Sequence, residues 1–220
     1  MTPWPCRAAL SGLALLLTLC GTVSAATYTD SRDDQQYATF VSTGDTTNGK
    51  KLEWTGENLR YALTGSRCYG GRDRNCEQFG RLYSYDQADS VCNRDDGWHL
   101  PSDADWLSLE RANGMGPADL AKSGYKEVRG KGIGDKLKDG PFRALPAGYS
   151  KGSKKRRYDA LNDRTYWWSS TKEDDGKVIR RRVNWVRHAT KYPEISTIGR
   201  FANPTGSFHI SVRCVRDAPQ

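Results

Sequence analysis

The 220-residue sequence is poor in the side chains and spacings that metal chemistry and membrane insertion require. Its three histidines, His99, His188 and His209, are scattered and lack an evident acidic partner, so they do not make a zinc site. No two cysteines stand two to four residues apart, the usual spacing of structural zinc ligands. Beyond the first 25 residues no apolar stretch approaches the length of a membrane span. No repeat recurs along the chain, and 22 Gly with 9 Pro are too few for a collagen-like sequence. What remains suits one folded domain: hydrophobic residues at 36%, and 7 Trp, 11 Tyr and 5 Phe for a bulky core.

Residues 1–25 read as a signal peptide. Arg7 supplies the positive end, residues 10–20 the apolar run, and Val23-Ser24-Ala25 a small-residue cleavage site after Ala25. A run of about 11 residues is too short to cross a bilayer. Leu19 stands before Cys20 where a lipid-anchor signal wants a small residue. The expectation is an exported chain, periplasmic, cell-surface or secreted, with no transmembrane span. Polar residues 26–36 are expected to be flexible, and residues 37–217 to form the domain.

Export makes the four remaining cysteines a disulfide framework. Cys68 and Cys76 flank a Gly- and Arg-rich loop and pair locally, which leaves Cys92 with Cys214. That second bridge closes a loop of about 120 residues, worth about 4–5 kcal/mol by chain entropy. With every cysteine oxidised, no thiolate is left for catalysis.

Charge divides by region. The formal net charge is +8, yet residues 26–150 hold 17 basic against 19 acidic side chains, and residues 151–220 hold 16 against 7. The excess gathers at Lys154 to Arg157 and Arg180 to Arg182, with Arg187, His188 and Lys191 beyond. Such a bias favours acidic partners: an acidic glycan, an anionic envelope component or an acidic protein. A solvated basic face is the plainer account. No reader helix or known motif supports a nucleic-acid partner.

The strongest helix signal follows GWHLPS. Ser102 caps, Asp105 completes a capping box, and Trp106 and Leu109 share a face before Gly114 stops it. A second helix is expected through PADLAKSGYKEV, with Pro117 in its first turn, and a short turn at IGDKLK. His99 reads as a packed side chain at the helix entry. Strands are expected at residues 37–41, with a hairpin at Asn48-Gly49, at KLEWT, at 166–169, and at KVIRRRVNWV despite its three arginines. The last strand alternates cleanly, with Phe208, Ile210, Val212 and Cys214 on one face and His209, Ser211 and Arg213 on the other. An early helix, late strands and bridged ends indicate an α+β fold.

Several segments stand together in a recognisable order: ENLRY at 57–61, GRLYSYDQA at 80–88, CNRDDGWHLPSDADWLSLE at 92–110, FRALPAGY at 142–149, YWWSST at 166–171 and SFHISVRCVRD at the close. In these the chain resembles the Fibrobacter succinogenes major paralogous domain (FISUMP) family of exported bacterial proteins. The resemblance implies a C-type lectin-like fold: two main helices, a twisted antiparallel sheet joining the chain ends, a long irregular loop region, and a bridge from the first helix to the last strand. It implies no activity. The Asn184-Trp185 pair lacks the following acid that calcium-dependent lectins use, and Asp159, Asn162, Asp163 and Glu173 to Asp175 show no ligand pattern. No metal or cofactor is therefore expected.

The ring-dense run Tyr166-Trp167-Trp168 must point to both sides of its strand, with Trp168 and one partner packing. The remaining ring beside the arginines makes an aromatic and cationic surface, of the residue types enriched in binding hot spots. The candidate ligand-binding set is Tyr166, Trp167, Arg180, Arg182, Trp185 and Arg187. The expected function is a non-catalytic binding module for a glycan, an acidic envelope component or a protein. The alternative is a structural or accessory piece of an envelope assembly.

Overall fold

The computed structural model describes residues 26–42, 51–124, 129–152, 157–185 and 196–219. The expected signal peptide, the Asn48-Gly49 turn, Lys154 to Arg156, and Arg187, His188 and Lys191 lie outside the described residues.

Alternating residues open the first sheet. Strands β1 (Thr27–Thr29), β2 (Gln36–Ser42) and β3 (Leu52–Thr55) pair antiparallel in sequence, and β9 (Val215–Asp217) returns from the far end to pair with β3. The segment expected to be flexible thus carries β1. Tyr28 is buried against Trp98, and Asp30 has no exposed surface because Arg32 and Asn93 hydrogen-bond its carboxylate. The polar composition of residues 26–36 concealed Trp98 and Asn93, which come from more than 60 positions away.

Among the described residues five α-helices follow where two main ones were expected: α1 (Asp73–Phe79), α2 (Tyr85–Val91), α3 (Asp103–Ala112), α4 (Pro117–Leu120) and α5 (Ile133–Asp139). α3 begins as its sequence dictates, with Ser102 and Asp105 forming a reciprocal capping box. α2 has the same device in Ser84 and Gln87. α1 is a stapled turn, held by the Cys68–Cys76 bridge, which no apolar periodicity announces. Among the described residues no helix is long and apolar enough to cross a membrane.

The second sheet has the order β5-β4-β6-β7-β8, from β4 (Ala147–Lys151), β5 (Arg157–Leu161), β6 (Arg164–Lys172), β7 (Val178–Asn184) and β8 (Thr197–Asn203). It is mixed rather than antiparallel. β5 runs back along β4, and the turn at Asn162-Asp163 reverses the chain again, so β6 runs parallel to β4. Two reversals restore the direction, and the expected all-antiparallel sheet fails for that reason. Gly148 makes the crossing feasible. It sits at φ 67°, and a Cβ there would lie 2.6 Å from the Asp159 carbonyl oxygen.

Two hydrophobic clusters share one wall. The first gathers Tyr37, Tyr83, Trp98, Trp168, Ile210 and Val212; the second gathers Trp54, Trp106, Phe142, Trp167, Val183 and Val215. The Cys92–Cys214 bridge, spanning 122 positions, ties α2's end to the closing segment. That segment is not one continuous strand. His209, Ile210 and Ser211 make single bridges to Ser150, Tyr83 and Trp167 before β9 begins. His99 bridges Val215 through its backbone, while its side chain is exposed rather than packed.

Candidate functional site

Strand alternation decides where the arginines go. In the β6–β7 register Tyr166 faces Arg182, Trp167 faces Arg181 and Trp168 faces Arg180. Side chains at 180 and 182 therefore stand on one side of the sheet and Arg181 on the other. Arg181 enters an ion cluster with Glu110 and Asp103, which Arg129 and Arg200 complete. Burial alone would raise the Asp103 carboxyl, yet hydrogen bonds from Arg200 and the charge of Arg181 hold it below its usual range.

Arg180 has no such acid. It is 3% exposed. Its guanidinium carbon lies 4.6 Å from the Trp168 ring centre and 5.0 Å from that of Phe208. Nη2 donates to the Pro204 carbonyl, and Nε is buried with no partner. Burial pushes the guanidinium down to about 10, far below its ordinary range.

The side chain borders a cavity of about 300 Å³. Four rings form its walls: Tyr149, Tyr166, Phe201 and Phe208, with Asn203 at the same opening. Tyr149 and Tyr166 meet edge to face at 5.4 Å, Tyr149 and Phe208 lie at 5.8 Å, and Tyr166 and Phe201 at 6.4 Å. Tyr149 Oη donates to Asp159 outside the lining; burial first, and that hydrogen bond second, push its hydroxyl up to about 12. Among the described residues no carboxylate lines the cavity. It can accept a group with flat or sugar-like apolar faces and a negative edge.

The candidate residues separate accordingly. Tyr166 and Arg180 meet at the cavity, and Arg182 stacks on Phe201 at 5.4 Å. Trp167 does not join them. It is fully buried in the second cluster, its Nε1 donating to Asn58 Oδ1 at 2.8 Å. Trp185 packs against that same cluster, and Arg187 lies outside the described residues. The strand's pleat explains the split, because Trp167 and Tyr166 point to opposite faces.

Sequence reasoning missed Tyr149, Phe201, Asn203 and Phe208, which come from three separate segments that only the mixed sheet brings together. It also passed over GYSKG at 148–152, which has the Gly-x-Ser-x-Gly spacing of a hydrolase nucleophile turn. Ser150 sits within β4, fully buried, and its hydroxyl accepts a hydrogen bond from Arg67 at 2.8 Å. A strand-to-helix turn with an exposed hydroxyl is what that chemistry needs. Among the described residues no group of three or more His, Cys, Asp or Glu side chains could hold a metal ion.

The basic surplus of the last third is only partly a surface. Arg180, Arg181 and Arg213 are all buried. Arg213 donates to Asn58 Oδ1 and to the carbonyls of Thr55 and Arg143, and burial pushes it down to about 9.

A family model described as the Fibrobacter succinogenes major domain matches residues 36–216. No curated protein matches the chain, and no solved structure does, so the lectin-like architecture implied by the resemblance finds no support there.

Proposed function

The chain belongs to the Fibrobacter succinogenes major domain family, and from that premise we propose that it is an exported, non-catalytic binding module of the bacterial envelope. Its ligand, an acidic glycan or other acidic envelope component, occupies the cavity beside Arg180. One observation carries the reading: a nearly buried arginine with no carboxylate partner among the described residues, on the wall of an aromatic cavity. Isolated buried charge is costly, and a native fold keeps it where something pairs it. An anionic ligand supplies that pair.

The alternative, an assembly component held by a flat apolar interface, has less behind it. Val41 and Leu145 are the large hydrophobic residues exposed among the described ones. Two such side chains fall short of the several hundred Å² an apolar docking patch covers.

Binding of the exported, oxidised protein to arrays of glycans, anionic vesicles and acidic polymers tests the reading. Saturable binding that persists at physiological salt and is lost in Arg180→Gln is the expected result. Attachment to every polyanion alike, screened away by salt and indifferent to Arg180→Gln, overturns it.

A further inference from the structure

Resting on that reading of the cavity, we propose that the ligand group is a uronic-acid-type sugar: one saccharide ring carrying one carboxylate, which pairs with Arg180. Four observations lead there. The first is sign. Clustered aromatic rings ordinarily favour cations, but Arg180 stands among them and no acid of the described residues lines the cavity, so a cation is repelled.

The second is the number of charges. A single buried guanidinium, with one hydrogen bond to Pro204 and Nε unpartnered, is neutralised by one negative charge. A phosphate monoester brings about −1.5 to −2 at neutral pH and would leave charge uncompensated in a desolvated site.

The third is shape. The guanidinium carbon lies over the rings of Trp168 and Phe208, and a guanidinium's planar fork of N–H donors matches the two oxygens of a planar carboxylate. The fourth is size and polarity. About 300 Å³ lies at the small end of ligand pockets and suits one ring rather than a chain. Asn203 supplies a neutral amide for a sugar hydroxyl, and the flanking rings supply faces for its C–H surface.

Calorimetric titration with galacturonate oligomers, with the same oligomers after carboxyl reduction to the neutral sugar, and with polyglutamate distinguishes the possibilities. A hydrogen-bonded ion pair is worth about 1.5–3 kcal/mol, so reduction should weaken binding by about tenfold or more. That arm uses the unaltered protein and does not depend on any variant folding. In Arg180→Gln, verified as folded by its near-ultraviolet dichroism, acidic and reduced oligomers should bind alike. Equal binding of the two oligomers by the unaltered protein overturns the carboxylate assignment and leaves the module's binding role standing. Arg180-dependent binding of polyglutamate alone overturns the sugar. No binding of any of the three overturns the cavity as the ligand site.

Discussion

Glu110 and Arg181 meet at 2.6 Å with neither side chain reaching solvent. Glu110 also takes Arg129 at 2.5 Å, and Arg181 also holds Asp103, so a five-member ion cluster with two acids and three arginines bridges α3 to β7 and β8. Removing Glu110 takes from buried Arg129 its acid and leaves Arg181 with Asp103 alone, which Arg200 shares. Glu110→Gln should destabilise the fold by about 3–5 kcal/mol in chemical denaturation. A loss under about 1 kcal/mol would show that the cluster repacks without it.

Asp103 gives the acid dependence a sign. Its folded carboxyl lies below the unfolded value of about 3.9. Its contribution is therefore complete above pH ~4 and is lost as pH falls through the lower folded value. Asp103→Asn should lower stability at neutral pH and flatten the acid limb of the stability curve; an unchanged limb would contradict this.

Trp167 and Arg180 should behave oppositely when altered. Trp167→Ala empties a buried site between Trp106 and Phe142 and should cost about 3–5 kcal/mol. The ligand affinity of the folded fraction should stay unchanged, since the ring does not reach the cavity. Paired denaturation and binding measurements decide, and loss of affinity without loss of stability would return Trp167 to the site.

The two disulfides should differ in weight. Chain entropy gives about 5 kcal/mol for the 122-position bridge and about 2.5 for the 8-position one. Denaturation of the Cys92→Ser/Cys214→Ser and Cys68→Ser/Cys76→Ser pairs should show the first as the greater loss.

What could be read in the residues was local. Ser102 and Asp105 announce α3 because capping is a four-residue affair. The rows of Phe208 to Cys214 announce alternation, yet not that the polar row is also buried. Ser211 and Arg213 have no exposed surface because Asn58 lies against both, from 150 positions away. The three consecutive arginines of β7 looked like an interruption, since the burial of the middle one, Arg181, depends on Glu110 and Asp103 in a distant helix. The same limit applies to the cavity. Tyr166 and Arg180 lie diagonally across the β6–β7 pair and stood among the sequence candidates, while Tyr149 reaches them through the doubled reversal of β4, β5 and β6, and Phe201 through the pairing of β8 with β7.

The closing residues of the chain fasten nearly every other part of it. Leu59 donates to Val212, Thr55 to Cys214, and Tyr83, Ser150 and His99 each exchange backbone hydrogen bonds with residues between 209 and 215. Neither cluster has its shared wall until those residues arrive. The core therefore rests on pairings between segments far apart in sequence, such as Thr55 with Cys214 and Leu59 with Val212, the kind of contact whose loop-closure cost slows folding.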